Sequence, residues 1–291
     1  MKPASFDYCA PTTLEEALDV LGQRGEAAKA LAGGQSLGPL LNLRLARPEL
    51  LVDLNRLPGL AEVSTEDGTI RCGAMVRQRA VERSSLIETR VPLLHQATRW
   101  IGHPTIRNRG TIGGSLSHAD PAAELPVVAT ALDAELTVAR TASVRRVRAS
   151  DFFKMFLTTD LAEDELLVDV RWPVAGERTR QAFEEYARRH GDFALVSVAV
   201  AAEVDASGIC TAARLVYGGV DLVPFVSPAA NLLVGARAGD ELMAQVASEA
   251  ASACSPPTDI HASADYRRHL VHLLTARALR RAWGHDHEEE A

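Results

Sequence analysis

The chain has 291 residues, 47% hydrophobic and 24% charged, with 20 glycines and 14 prolines, which excludes collagen-like, coiled-coil and wholly disordered classes. A net charge of −7, from 31 basic and 38 acidic residues, leaves no general footprint for nucleic acid or an anionic membrane. No run approaches the roughly 18 apolar residues of a membrane span, and the start, MKPASFDYCAPTTLEEAL, carries no apolar export signal, so a cytoplasmic location is expected.

In chain order, the first predicted element is a helix. Thr13 and Glu16 match a capping box, Leu14, Ala17, Leu18 and Leu21 recur at helical spacing, and Gly22 and Gly25 punctuate the end. A small-residue stretch, 30–36, leads to a short helix from Leu37 that stops before Pro48. Residues 50–54 and 69–73 read as strands, 77–86 and 92–101 as helices. The segment 102–121 shows little periodicity and reads as a long irregular loop, of the kind that is functional when it lies inside a compact protein. A helix over 125–132 follows, then strands at 135–139, 144–148 and 166–172. Residues 173–180 are the expected boundary. Beyond it come three strands, 181–188, 194–204 and 211–217, and two helices, 241–254 and 264–283. This order is α+β rather than a regular βαβ series. The tail reads as a frayed, solvated end.

Two segments carry the chemistry. They are Ala32, Gly33, Gly34, Gln35 and Ser36, and Thr111, Ile112, Gly113, Gly114 and Ser115. A glycine pair permits positive φ and lets backbone N–H groups approach a ligand, and consecutive free amides form an anion nest. Two such pairs, each followed by serine, suit a diphosphate gripped from both sides. Neither segment fits a P-loop or a Rossmann fingerprint. Cys9, Cys72, Cys210 and Cys254 are scattered without any C-x-x-C, so they read as small buried hydrophobes. No structural zinc site and no iron–sulfur ligation is legible, and any metal redox centre is expected on a partner.

The runs AGGQSLGPLLNLRLARPELLVDLNRL and IGHPTIRNRGTIGGSLSHADPAAELP, with the later DELL, RRHGDFALV and ADYRRHLVHLLTARAL, resemble the FAD-binding medium subunit of molybdenum hydroxylases. That family includes the carbon monoxide dehydrogenase medium subunit and the flavin domain of xanthine dehydrogenase. The resemblance implies a PCMH-type FAD-binding fold in residues 1–175, made of two α+β subdomains (about 1–57 and 58–175). It further implies a C-terminal domain over 176–285 with a three-stranded antiparallel sheet and helices, and a tail at 286–291. FAD is the implied cofactor of this chain. The molybdenum cofactor and two 2Fe-2S clusters are implied on a large and a small partner subunit, in a dimer of heterotrimers. The implied function is to pass electrons from the clusters through FAD to an external acceptor. The rival of the same fold is a self-sufficient flavoenzyme, an oxidase or reductase with its own acid or base.

Carried over by position, both glycine segments match family motifs that bind the FAD diphosphate. Glu124 matches a carboxylate near the sugar–adenine half, and Leu167 an apolar residue near the adenine. Ile106, Arg107 and Asn108 are expected to shape the second loop. Asp120 before Pro121 suggests a helix cap. Phe193 stands where relatives often have Tyr beside the isoalloxazine. Glu184 and Glu185 stand where many relatives have Lys, with Arg188 or Arg189 as possible substitutes. His103 and His118 read as hydrogen-bonding loop residues, because no third group completes a triad. Arg145, Arg146 and Arg148 read as a solvated edge strand. No catalytic residue and no metal ligand is assigned to this chain.

Overall fold

The computed structural model describes residues 2–285, so the expected tail, 286–291, lies outside the described residues. The Thr13 hydroxyl accepts from the Glu16 amide at 3.2 Å, while the Glu16 carboxylate takes the Thr12 amide, one residue earlier than a strict capping box. The helix so capped, α1 (Leu14–Arg24), buries Ala17, Leu18 and Leu21 in a small core that also contains Ala28 and Val52. Those two residues belong to a parallel sheet ordered β1–β3–β2, made of β1 (Asp7–Cys9), β2 (Ala28–Leu31) and β3 (Leu50–Asp53). A short helix, α2 (Leu37–Asn42), lies between β2 and β3. The sequence predicts β3 alone. The flanking strands are short and carry no alternating apolar run, and they form because β3 offers a partner on both sides.

The second body is a five-stranded antiparallel sheet, ordered β4–β5–β10–β6–β7, under a layer of helices. It runs β4 (Val63–Glu66), β5 (Thr69–Gly73), α3 (Gln78–Glu82), α4 (Ser85–Arg90), α5 (Pro92–Thr98), α6 (Pro104–Arg107), α7 (Ile112–His118) and α8 (Glu124–Leu132). It continues with β6 (Glu135–Arg140), β7 (Ser143–Arg148), α9 (Ala149–Phe152), the hairpin of β8 (Phe153–Met155) with β9 (Thr158–Thr159), and β10 (Leu166–Pro173). The segment 102–121 is therefore not one irregular loop, since it holds α6 and α7. Two glycines inside α7 cost about 1 kcal/mol each in helix propensity. Complete burial of Ile112 and Leu116, worth about 1.5–3 kcal/mol each, outweighs that cost.

The third body has three long antiparallel strands, β11 (Thr179–Tyr186), β12 (Val196–Val204) and β13 (Cys210–Gly218), with a two-residue edge strand, β14 (Phe225–Val226). The helices α10 (Asp240–Ala253) and α11 (Ala264–Trp283) complete it. Strand alternation gives this sheet two buried faces. Ala182, Val196, Val198, Val200, Leu215 and Tyr217 share a core with α10 and α11, whereas Phe183, Ala199 and Val216 join the core of the second body. The sheet is thus a wall shared by two units. No helix among the described residues is long and apolar enough to cross a membrane.

Candidate cofactor site

Residues 32–36 form the turn between β2 and α2. Gly33 is buried, and a Cβ there would run into the backbone of Arg109 and Gly110; Gly34 sits at φ +72°. The Gln35 amide side chain donates to the Gly33 carbonyl at 3.1 Å and closes the turn. Among the described residues nothing accepts from the backbone N–H groups of Gly33, Gly34, Gln35 or Ser36. Backbone donors that are partly buried and unpaired are rare, and four in succession make a receptor for an anion.

A polar brace holds this turn. Asn55 Nδ2 donates to the Ala32 carbonyl at 3.0 Å, and the Asn55 amide donates to Asp53 Oδ1 at 2.9 Å. The Arg77 guanidinium donates both to Asn55 Oδ1 and to the Arg109 carbonyl, so one side chain ties the two glycine segments together. Tyr8 donates to Asp53 Oδ2 at 2.6 Å. Burial pushes the Asp53 carboxyl up, but hydrogen bonds from Tyr8 and Asn55 outweigh it and hold the group below its ordinary value.

The second glycine segment is built differently. Thr111 caps α7, its hydroxyl accepting from the Gly114 amide at 2.9 Å. The other amides are engaged as well: Ile112 donates to Val76, Gly113 to Ala74 and Ser115 to Thr111, at 2.8–3.2 Å. Neither Gly113 nor Gly114 has a positive φ. The expectation of a second anion nest is corrected on both counts. Gly113 serves close packing instead, and at Gly114 a Cβ would crowd the capping Thr111 hydroxyl. A Cβ on Gly113 would lie 2.5 Å from Ala74 Cβ, and one on Gly114 would lie 3.5 Å from Ala32 Cβ. The two segments therefore meet, with Ser36 and the half-buried Ser115 as hydroxyls that can turn toward a ligand.

The remaining expected residues lie on α6, on the turn into α8 and on α8 itself, on β10, and on β11 and the loop after it. Arg107 is buried; it binds both carboxylate oxygens of Glu82 (2.9 and 3.1 Å) and the carbonyls of Ile101 and Gly102 (2.7 and 2.9 Å), which fixes the approach to α7. Asp120 does not cap a helix starting at Pro121. Its carboxylate closes a turn on the Ala122 amide at 2.9 Å, and α8 begins three residues after Pro121, at Glu124. Leu167 lies in the core of β10, 4% exposed, and Glu124 is 7% exposed. Phe193 is 70% exposed on the loop between β11 and β12. That loop rests on the second segment's side of the molecule, because the His103 ring occupies the space beside Gly191, at φ +88°. Arg267 pins its far end by donating to the Leu195 and Gly219 carbonyls while pairing with Asp259 at 2.7 Å. Glu184 and Glu185 point to opposite faces of β11, and Arg188 and Arg189 are exposed. The basic edge of β7 is paired rather than free: Arg145 with Asp160 and Glu165, Arg146 with Glu135, Arg148 with Asp133. Sequence reasoning misses Asp53, Asn55, Arg77 and Arg267. Asn55 lies in the quoted run LVDLNRL, but only the fold shows what it reaches.

Residues 4–175 match the family described as FAD binding domain in molybdopterin dehydrogenase, and residues 181–282 match CO dehydrogenase flavoprotein C-terminal domain. The chain is 41% identical, over 97% of its length and 96% of the relative's, to the 6-hydroxypseudooxynicotine dehydrogenase complex subunit alpha of Paenarthrobacter nicotinovorans. Among solved structures it resembles a carbon monoxide dehydrogenase from Hydrogenophaga pseudoflava that lacks the Mo-pyranopterin moiety, with TM-score 0.94 and 35% identity, covering 98% of this chain and 99% of that one. It also resembles quinoline 2-oxidoreductase from Pseudomonas putida 86, with TM-score 0.92, 39% identity and the same coverage. With matches over both units, and relatives that are themselves dehydrogenase subunits, the chain belongs to the family of FAD-binding medium subunits of molybdenum hydroxylases.

Proposed function

We propose that this chain is the electron-transfer subunit of a cytoplasmic, three-part molybdenum hydroxylase, assembled as a dimer of heterotrimers. Electrons taken from an organic substrate at a molybdenum cofactor on the large subunit pass through two 2Fe-2S clusters on the small subunit, reach this chain, and leave to an external acceptor. FAD, when bound, supplies the ability to exchange electrons singly or in pairs. The observation that carries the reading is the run of four unpaired amides at 33–36, packed against a second glycine segment. The donor set fits the group, because a diphosphate accepts what these amides offer and no Cβ stands in the way at Gly33 or Gly34.

In this reading Ala32, Gly33, Gly34, Gln35 and Ser36 grip the diphosphate through the backbone. Thr111, Ile112, Gly113, Gly114 and Ser115 form the opposing wall, and Ser115 adds a hydroxyl. Phe193 offers an exposed aromatic face to cover the ring system. Glu124 and Leu167, both closed off from solvent in this chain, are assigned by the family resemblance to the sugar–adenine half of the cofactor. We place the domain boundary at 175/176, between the two matched regions. The chain needs no acid or base of its own, and its task is to hold and orient the cofactor. The test is to co-express the three subunits, identify the released cofactor, and follow flavin absorbance on adding substrate. Bleaching in the complex, with none in the lone chain, supports the reading; substrate turnover by the lone chain overturns it in favour of a self-sufficient flavoenzyme.

A further inference from the structure

Two acidic side chains are closed off from water where the FAD-binding domain meets the C-terminal sheet. Glu124 opens α8 and is 7% exposed; Glu185 on β11 is 5% exposed. Alternation sends Glu184 to the other face, where Arg277 and Arg281 pair with it at 3.3 and 2.9 Å. Among the described residues no cation pairs with Glu185. Its Oε2 atom is buried without a hydrogen-bond partner, and so is the hydroxyl of Ser197, its direct neighbour across the strand. Gly218 is next in that row, and a Cβ there would meet Ser197 Oγ at 2.6 Å and Val127 Cγ2 of α8 at 2.9 Å. The Gly219 amide donates to the Pro121 carbonyl at 2.8 Å, which fixes the segment leading into α8 against the sheet.

A buried carboxylate without a cation is costly, and such a group holds a proton instead. Glu124 is the charge that acts on Glu185. On Glu124, Asp120 acts unfavourably and Arg107 favourably, and Arg107 is already engaged by Glu82. Burial first, and then neighbouring negative charge, push both carboxyls above their ordinary value. His118 senses Asp120, but burial pushes it down, so it supplies no compensating charge at neutral pH.

We propose that Glu124 and Glu185 form a single proton-binding site across the domain seam, one carboxyl from each side, which retains a proton at neutral pH and gives the seam its pH dependence. The retained proton makes a carboxyl of this row a donor as well as an acceptor, so that it can pair with Ser197 Oγ, which otherwise stands without a partner among the described residues. The sign follows from linkage. Unfolded, both groups ionise near 4.5. Folded, they keep protons to higher pH, so the native state binds more protons and stability falls as pH rises above that value, levelling off once the folded pair has ionised.

The test is equilibrium denaturation of the full chain at intervals from about pH 5 to about pH 9, for wild type, Glu185→Gln and Glu124→Gln. The glutamine variants should flatten the decline, with the Glu185→Gln unfolding constant about tenfold or more below wild type at the alkaline end. Parallel profiles for wild type and Glu185→Gln would overturn the proposal. Infrared spectroscopy of the wild-type chain decides even where a variant fails to fold. A protonated-carboxyl band present at neutral pH and lost on alkaline titration supports the shared proton, and its absence at neutral pH overturns it.

Discussion

The first glycine pair, Gly33 and Gly34, lies in open chain between β2 and α2, and the amides from Gly33 to Ser36 are without acceptors. The second pair, Gly113 and Gly114, lies in the first turn of α7, where the amides from Ile112 to Ser115 are all engaged. Both pairs have a serine within two residues, and in each one glycine leaves no room for a Cβ (Gly33 against Arg109, Gly113 against Ala74), yet the consequences diverge. One arrangement leaves donors for a ligand. The other lets a helix pack tightly on Ala74, with Gly114 facing Ala32 of the first segment. A glycine motif thus states only that something comes close; the hydrogen-bond inventory says whether that something is a ligand or the protein itself.

Substitutions can break this comparison at either pair. The largest effect is expected at Gly113→Val, because the new side chain would overlap Ala74, itself buried in the core. A loss of about 3 kcal/mol or more is expected, seen as a drop in melting temperature together with loss of flavin. Gly34→Val should separate the two quantities. Nothing nearer than Leu31 Cδ1, at 3.4 Å, meets a Cβ there, so the cost is the strain of a branched residue at positive φ, about 1–3 kcal/mol. The chain should remain folded by circular dichroism while its FAD is lost on gel filtration, and retention of FAD would remove Gly34 from the site.

Asn55→Ala sharpens the comparison, since it removes the first turn's brace and one end of the Arg77 tie, while the Arg77 bond to the Arg109 carbonyl remains. Losing the bonds to Ala32 and Arg77 should cost about 1 kcal/mol and weaken FAD binding several-fold in a flavin titration. The smallest effect on stability, within about 0.5 kcal/mol, is expected for Phe193→Ala, because the ring is exposed. That variant should instead shift the absorbance or potential of the bound flavin, and no change in either would remove Phe193 from the site.

Much of the architecture is legible in the sequence wherever apolar periodicity is long. The bounds of α11 coincide with the 264–283 reading, and the valines of β12 alternate as a half-buried strand should. What fails is short or tertiary in origin. The strands β1 and β2 exist through β3, and α7 exists because buried Ile112 and Leu116 overrule two glycines. At the candidate site both glycine segments are visible as motifs, but their division of labour is not, because it depends on which carbonyls stand opposite the amides. The Asn55–Arg77 brace joins residues 22 apart in sequence, beyond the reach of any spacing rule. Glu184 and Glu185 look alike in sequence and differ by one step of the pleat: one meets two arginines, the other has no cation among the described residues and is under the charge of Glu124.

The central claim is that the amides of the first turn hold a diphosphate, and comparing FAD with riboflavin tests it most directly. The two share the isoalloxazine ring and ribityl chain; riboflavin lacks the diphosphate and the adenosine beyond it, and adenosine added together with riboflavin controls for the latter. Titrated into the cofactor-stripped complex, FAD should bind at least about a hundredfold more tightly, the equivalent of two charge-assisted hydrogen bonds or more. Equal affinity for the two flavins would contradict the account and move the binding energy away from the turn at 33–36.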